Sequence, residues 1–191
     1  VLFGQGVSQT PLRTASIFQA VANKGRQIEP RLVDSVTAPD GTVTHPERPE
    51  PKQVLSESAA QQTLDIMENV VTQGGAKEAA VPGYRVGGKT GTAEAPSEGG
   101  GYEGYTTSFV GVAPMEDPQY LVAVTMQRPQ GDVRTLGVTS TFSTIMSQVL
   151  HHFNVAPSTT TGPEFDMQVP QNVDRDVTPT NALKQTWPQP G

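Results

Sequence analysis

The sequence predicts a domain of the α+β class, in which an antiparallel sheet is flanked by helices. Apolar residues recur at helical spacing in three segments of the chain, and strand-like segments lie between the second and the third. Two of the strand-like segments are joined by a short turn, which is the arrangement of an antiparallel hairpin. Helices that precede and follow a group of hairpins are typical of α+β domains.

The first helix is predicted to begin at Thr10 and to end near Lys24. Threonine is a favourable N-cap residue, and Pro11 suits the first helical position because that position needs no backbone N–H. Gly25 favours termination, because glycine readily adopts the left-handed conformation found after many helices. The sequence therefore predicts one helix close to the start of the chain.

The next part of the chain is predicted to contain a strand, a loop and a second helix. The strand covers residues 31–36, the turn signal Pro-Asp-Gly-Thr follows at residues 39–42, and the proline-rich residues 45–52 form a loop. Ser56 is a potential N-cap of the second helix, which the glycine pair at residues 74–75 ends. The apolar face of this helix contains Ala60, Leu64, Met67 and Val71.

The last third is predicted to hold the sheet and a third helix. Strands are predicted over residues 84–93, 106–113 and 120–127, with a glycine-rich loop at residues 96–104 after the first of them. Because residues 120–127 are apolar on both faces, this strand is predicted to be central and covered by helices. The third helix contains the apolar stripe Phe142, Ile145, Met146, Val149, Leu150 and Phe153.

The composition excludes several classes of function. The formal net charge is −6, with 13 Lys and Arg against 19 Asp and Glu, whereas nucleic-acid binding needs clustered basic residues. The absence of Cys excludes disulfides, zinc–thiolate sites and thiol nucleophiles. His45, His151 and His152 are the only histidines, and the last two are expected to interact with a helix C-terminus rather than with a metal ion. No metal site, cofactor or nucleic-acid partner is therefore expected.

The most specific segment is Gly-Gly-Lys-Thr-Gly-Thr-Ala-Glu at residues 87–94. Lys89 supplies a fixed positive charge, and Thr90 and Thr92, two residues apart on a strand, point to the same side. Both hydroxyls can therefore reach one carboxylate, and Gly91 has no side chain to obstruct a ligand backbone that approaches the strand. The pattern predicts an anion-recognising strand edge; the alternative is an ordinary turn with a solvated lysine.

Several stretches of the sequence, in order, resemble the transpeptidase domain of penicillin-binding proteins. That superfamily combines a Lys-Thr-Gly motif with a Ser-x-x-Lys and a Ser-x-Asn-type motif. Besides Lys-Thr-Gly, the stretches are Phe-Gly-Gln-Gly at 3–6 with Thr-Pro-Leu at 10–12, Asn-Lys-Gly at 23–25 with Pro-Arg-Leu-Val at 30–33, and Thr-Ser-Phe-Val-Gly-Val-Ala-Pro at 107–114 with Asp-Pro-Gln-Tyr at 117–120. The resemblance is to a class B enzyme of the septal, cell-division type. It implies the antiparallel-sheet fold of penicillin-binding proteins and serine β-lactamases.

The resemblance implies a peptidoglycan D,D-transpeptidase. A serine would attack a D-Ala-D-Ala stem peptide, release the terminal D-Ala and pass the acyl group to an amine of a neighbouring stem, and β-lactams would acylate the same serine. Lys89, Thr90 and Thr92 would bind the substrate carboxylate. The backbone N–H of Thr92 would be one oxyanion-hole donor, so Lys89 and Thr92 are the catalytic candidates. Because the substrate would pair along the strand, Gly91 and Ala93 also belong to the predicted binding site.

The nucleophile of such an enzyme is absent from this sequence. No Ser is followed by Lys three residues later, and no Ser is followed by Asn two residues later. The chain is therefore expected to be the C-terminal part of a transpeptidase domain, incomplete and inactive without an N-terminal part that carries both motifs and a membrane anchor. The other expected partners are peptidoglycan stem peptides, β-lactams and divisome proteins. The expected location is the extracytoplasmic face of the bacterial cell membrane.

Two alternative functions remain open at this point. A D,D-carboxypeptidase or a β-lactamase-like hydrolase would use the same strand motif but would hydrolyse its acyl-enzyme. A non-catalytic binding module would keep the recognition strand after the loss of the nucleophile. The residues encoded before Val1 would separate the enzyme from the binding module.

The boundary between body and tail is predicted at residue 155. Residues 1–155 are expected to be the C-terminal part of the transpeptidase domain. Residues 156–191 are rich in proline and contain only scattered large apolar residues, too few to offset the entropy cost of ordering. They are predicted to form a tail that is disordered or lies along the body, outside the catalytic wall.

Overall fold

The computed structural model describes residues 8–97, 99–130 and 134–165 of the 191-residue chain. The Phe-Gly-Gln-Gly stretch and the larger part of the predicted tail lie outside these residues. The elements, in chain order, are α1 (Pro11–Ala22), β1 (Arg26–Gln27), β2 (Val36–Thr37), β3 (Val43–Thr44), β4 (Lys52–Gln53), α2 (Glu57–Thr72), a short 3-10 helix (Lys77–Ala79), β5 (Gly87–Pro96), β6 (Tyr102–Ala113), β7 (Tyr120–Gln127) and α3 (Arg134–His152).

The two predicted N-caps are confirmed. The Thr10 hydroxyl oxygen accepts a hydrogen bond from the Arg13 backbone N–H at 3.2 Å, and Pro11 occupies the first position of α1. The Ser56 hydroxyl oxygen caps α2 in the same way. The chain leaves α1 through Gly25, at φ +81°, whose N–H donates to the Ala20 carbonyl. The stop predicted at this glycine therefore has the expected left-handed geometry.

The main sheet is antiparallel, with the strand order β5–β6–β7. Lys89 pairs with Val110, and Thr92 pairs with Thr107, which in turn pairs with Met126 on β7. β6 is therefore the central strand, and β7 lies at the edge of the described sheet. Residues 120–127, which are predicted to form a central strand, have β6 as their partner strand in the described sheet.

The predicted strand over residues 31–36 is wrong except at Val36, where β2 begins. Regular pairing in this region is limited to β2 and β3, a two-stranded ladder in which Val36 pairs with Thr44. Leu32 is 95% exposed, and the β-branched Val33 has no strand of the described residues beside it to pack against. The predicted turn between the strands is confirmed, because Gly41 donates to the Ala38 carbonyl.

Helices cover both faces of the main sheet. Phe109 on β6 packs edge-on against Phe142 of α3 with ring centroids 4.7 Å apart, whereas Val112, on the opposite face, packs with Leu64 and Met67 of α2. Gly111 permits the aromatic contact, because a Cβ at this position would lie 2.7 Å from the Phe142 ring. The structure confirms an α+β sheet flanked by helices.

The segment after α3 crosses the body. We call residues 155–165 the strap. It hydrogen-bonds to the turn before β5 through Ser158, whose N–H donates to the Gly83 carbonyl at 2.9 Å. It also bonds to α2 through Asn69, whose side-chain amide donates to the Pro163 carbonyl at 3.0 Å. The described part of the predicted tail therefore lies along the body.

Candidate substrate-binding edge

Lys89 lies on β5, the outer strand of the described sheet. The side chain is exposed, and Nζ donates to the Thr90 carbonyl at 2.9 Å and approaches Thr90 Oγ1 at 3.5 Å. Within the ranges that the structure describes, Lys89 forms no ion pair. The ammonium group is thus fixed beside the strand edge with its positive charge available to an incoming anion.

Thr90 and Thr92 share one face of β5, as their spacing predicts. Thr90 pairs with Phe109 and Thr92 with Thr107. The period of two along a strand directs the Lys89 side chain to the opposite face. The ammonium group nevertheless reaches the Thr90 carbonyl and hydroxyl. A ligand at this edge of β5 can therefore meet the cation and the hydroxyl groups together.

The absence of a side chain at Gly91 leaves room for a side chain of the neighbouring strand β6. Gly91 pairs with Ser108 on β6, and a Cβ on Gly91 would lie 2.6 Å from the Ser108 hydroxyl oxygen. The space that the sequence predicts for an approaching ligand is therefore bordered by the Ser108 hydroxyl. Ala93 is half-buried and pairs with Thr106. The five predicted site residues thus lie consecutively on one exposed strand segment.

Thr107, directly opposite Thr92, has an unusual environment. Its side chain is fully buried, and its hydroxyl has no hydrogen-bond partner within the described structure. A buried polar group without a partner costs free energy, and such groups require an explanation. No sequence pattern indicates this feature, because it depends on the pairing of β6 with β5 and β7.

A second charged site lies at the start of β5. Glu68 of α2 is 3% exposed and accepts two hydrogen bonds from the Arg85 guanidinium, at 2.8 and 2.7 Å. These bonds raise the pKa of Arg85 above its ordinary value. The guanidinium also donates to the Thr160 hydroxyl of the strap at 3.0 Å. The pair therefore joins α2, the residues immediately before β5 and the strap.

A cleft lies at this second site. It has a volume of about 980 Å³ and is lined by Glu68, Arg85, Lys77 and strap residues that include Thr160 and Phe165. Its charged groups Glu68 and Arg85 already satisfy each other. Lys89, Thr90 and Thr92 are not among the residues that line this cleft.

The two adjacent histidines lie in the last turn of α3, away from the edge of β5. The His151 ring meets Tyr84 edge-on, and the His152 ring meets Phe153 in the same way. No cluster of three or more His, Asp or Glu side chains suited to a metal ion occurs in the described ranges. In the same ranges, no helix has both the length and the hydropathy to cross a membrane.

Comparison with known proteins identifies the family. Residues 1–147 match the family described as "Penicillin binding protein transpeptidase domain". Because this match covers most of the chain, the chain belongs to the penicillin-binding protein transpeptidase family.

Individual relatives agree with this assignment. Penicillin-binding protein PbpB of Mycolicibacterium smegmatis is 39% identical over 178 residues, covering 86% of this chain and 28% of that protein. Peptidoglycan D,D-transpeptidase FtsI of Escherichia coli is 32% identical over 174 residues, covering 88% of this chain and 28% of that protein. The chain thus spans little more than a quarter of the length of these relatives. The resemblance to penicillin-binding transpeptidases is confirmed.

The solved structures confirm the fold. Penicillin binding protein 3 from Mycobacterium tuberculosis, complexed with ampicillin, superposes with a TM-score of 0.77 at 31% sequence identity. The superposition covers 87% of this chain and 40% of that structure. The described elements therefore correspond to one part of a larger transpeptidase fold.

Proposed function

We propose that this chain is the substrate-recognition part of a serine peptidoglycan D,D-transpeptidase. The observation that carries the proposal is the exposed ammonium of Lys89, which contacts Thr90 at the open edge of β5. An ammonium with neighbouring hydroxyls suits the terminal carboxylate of a D-Ala-D-Ala stem peptide, because charge-assisted hydrogen bonds are stronger than neutral ones. The relative named peptidoglycan D,D-transpeptidase supports the same substrate class.

The proposed nucleophile is a serine in a part of the protein outside this sequence. Its Oγ forms a bond to the penultimate D-Ala carbonyl carbon, the peptide C–N bond breaks, and the released D-Ala amine takes up the proton. An amine of a neighbouring stem then attacks the resulting ester and restores the serine. The absence of a Ser-x-x-Lys or Ser-x-Asn motif from the 191 residues supports this division of the active site.

In this mechanism β5 contributes binding and electrostatic stabilisation. The Thr90 and Thr92 hydroxyls and Lys89 hold the carboxylate, while the Thr92 backbone N–H stabilises the oxyanion. One such donor contributes about 3 kcal/mol of transition-state stabilisation. The hydrogen bond from Lys89 Nζ to the Thr90 carbonyl supports this role. In an antiparallel strand, the N–H and C=O groups of alternate residues point to the same side. If the Thr90 carbonyl faces the open edge, the Thr92 N–H faces it too.

The proposed substrate lies extended beside Thr92 and Ala93 as an added strand. The unpaired outer edge of β5 in the described sheet supports this strand addition. A β-lactam would occupy the same edge, and the solved relative that is complexed with ampicillin supports this part of the proposal.

The proposed partners follow from the same mechanism. They are an N-terminal part of the same protein with both missing motifs and a membrane anchor, the peptidoglycan stems and divisome proteins. The proposed location is the extracytoplasmic face of the bacterial cell membrane, where peptidoglycan is accessible.

Labelling of the longer, native protein with fluorescent penicillin tests the proposal. We expect one covalent adduct, which peptide mapping places on a serine outside residues 1–191. Incubation with a D-Ala-D-Ala stem peptide and an acceptor amine should release D-Ala and form the cross-linked amide. Rapid hydrolysis of the adduct would favour a carboxypeptidase or β-lactamase-like enzyme, and the absence of any adduct would favour a non-catalytic binding module.

A further inference from the structure

Arg128, immediately after β7, contacts both strands of the hairpin that contains β5. Its Nη2 donates to the Pro96 carbonyl at the end of β5 at 2.7 Å, and its Nε donates to the Glu103 carbonyl on β6 at 3.3 Å. Its backbone N–H donates to the Tyr105 carbonyl at 2.7 Å. One exposed side chain thus spans the central strand and reaches the outer one.

The backbone at Arg128 is adapted to this contact. Its φ is +47°, in the left-handed region that non-glycine residues rarely adopt. Gly104 provides space on the facing strand, because a Cβ there would lie 3.4 Å from Arg128 Cγ. An unfavourable backbone conformation persists only where surrounding contacts hold it, and such residues cluster at functional sites.

The end of β5 needs an additional contact of this kind. The ladder between β5 and β6 is interrupted between Glu94 and Pro96. Beyond the irregularity, the described residues show the pair Pro96 and Tyr102 and one hydrogen bond from the Ser97 N–H to the Gly101 carbonyl. Proline has no N–H to donate to the ladder. The hydrogen bond from Arg128 to the Pro96 carbonyl therefore fixes the C-terminal end of β5, which follows Thr92.

We propose that Arg128 is a positioning residue for the substrate-binding edge of β5. By holding the Pro96 and Glu103 carbonyls, its guanidinium keeps the residues after Thr92 extended and aligned with β6. An incoming stem peptide that pairs beside Ala93 then meets an ordered strand and does not have to order it on binding. The inference rests on the proposed transpeptidase function and adds a residue that contacts neither the substrate nor the nucleophile.

The test compares Arg128→Ala and Arg128→Lys with Lys52→Ala in the longer, native protein. Lys52 is exposed on β4, outside the main sheet, so its removal deletes the same charge without disturbing β5. We expect Arg128→Ala to lower the second-order rate of penicillin acylation about tenfold, mainly through weaker non-covalent binding, with a melting temperature close to that of Lys52→Ala. Arg128→Lys should recover part of the loss, because an ammonium group reaches one carbonyl but lacks the planar fork.

Hydrogen exchange provides a second readout that does not depend on catalysis. We expect the amides of Ala93 and Ala95 to exchange about tenfold faster in Arg128→Ala than in Lys52→Ala. Equal acylation rates in these two variants would overturn the inference, and so would equal exchange rates. If the wild-type protein is not acylated at all, the proposed function fails, and the exchange comparison alone then decides whether Arg128 positions β5.

Discussion

Arg85 and Lys89 lie four residues apart in the sequence, yet the fold places their cationic groups in opposite environments. Arg85 is bonded to the buried carboxylate of Glu68 and to the strap. Lys89 is exposed at the edge of the sheet, and its ammonium contacts only Thr90 among the described residues. Both residues carry a cation, and the difference arises from a bonded carboxylate. The carboxylate of Glu68 makes Arg85 a structural cation, whereas Lys89 lacks such a partner in the described structure and is available to a ligand.

The two environments predict opposite consequences of mutation. Removing one partner of a buried ion pair typically costs 3–5 kcal/mol of stability, because it leaves an uncompensated charge. An exposed lysine contributes little to stability. Variants at Glu68 and Arg85 should therefore change folding, whereas variants at Lys89 should change ligand recognition.

The largest effect is expected from Lys89→Ala. Loss of a charge-assisted hydrogen bond of about 3 kcal/mol should lower the acylation rate of the longer protein by a labelled penicillin about a hundredfold. The melting temperature should not change. Lys77→Ala, which removes another exposed lysine, should acylate at the wild-type rate. Equal rates for the two variants would show that Lys89 is a solvated surface residue.

The next effect concerns the buried pair. Glu68→Gln should lower the free energy of unfolding by about 3 kcal/mol in denaturant titrations of the longer protein, because the Arg85 charge loses its partner. Glu78→Gln, at an exposed position, should change it by less than about 0.5 kcal/mol. If acylation per folded molecule falls in Glu68→Gln but stability does not, the assignment of the pair to structure is wrong.

Two truncations test the strap. Removal of all residues after Val155 deletes the hydrogen bonds of the strap to Gly83, Arg85 and Asn69. At about 0.5 kcal/mol net for each of these five partly exposed bonds, their loss should lower stability by roughly 2.5 kcal/mol while acylation per folded molecule is retained. Removal of the residues after Phe165 should change neither property. Equal melting temperatures for the two truncated proteins would confine the domain to residues before 156.

Thr107→Val should raise stability by about 1 kcal/mol, because it removes a buried hydroxyl that has no partner in the described structure. Thr139→Val is the matched control, because Thr139 is equally buried, whereas its hydroxyl is not among the buried groups that lack a partner in the described structure. That variant should be destabilised. Chemical denaturation of both variants provides the measurement, and a loss of stability in Thr107→Val would indicate that its hydroxyl has a partner in solution.

The smallest effect is a local pH dependence. Hydrogen bonds from Thr42 hold the pKa of Asp40 below its usual value of 3.8. A depressed carboxyl pKa means that the stabilisation is present above the usual value and is lost as the pH falls through the folded-state pKa. The turn between β2 and β3 should therefore loosen only under strongly acidic conditions. An NMR titration of the Asp40 carboxyl that gives a pKa of 3.8 or higher would contradict this.

The features that could be predicted from the sequence are local ones. Thr10 and Ser56 cap their helices through residues three positions further on, so that a short sequence window contains the whole interaction. The spacing of Thr90 and Thr92 likewise determines that they share a face. Such features need no knowledge of distant parts of the chain.

The features that could not be predicted depend on residues far apart in the sequence. The apolar pattern of residues 120–127 does not reveal which strand is central, because the strand order depends on the pairing of β6 with β5. The hydrogen bond from Asn69 to Pro163 joins positions that are 94 residues apart. The contact of Arg128 with Pro96 likewise crosses the central strand. The β-branched Val33 did not produce a strand, because no strand of the described residues pairs with this position.

The central claim is that Lys89 recognises a carboxylate, and a cycle of two ligands and two proteins tests it most directly. The acylation rates of the wild-type protein and of Lys89→Ala are measured with a penicillin and with its methyl ester. We expect the ester to react about a hundredfold more slowly than the penicillin in the wild type, and the ratio to be at least about tenfold smaller in Lys89→Ala, where the threonine hydroxyls remain to bind the carboxylate. An equal ratio in the two proteins would show that Lys89 does not recognise the carboxylate and would contradict the account.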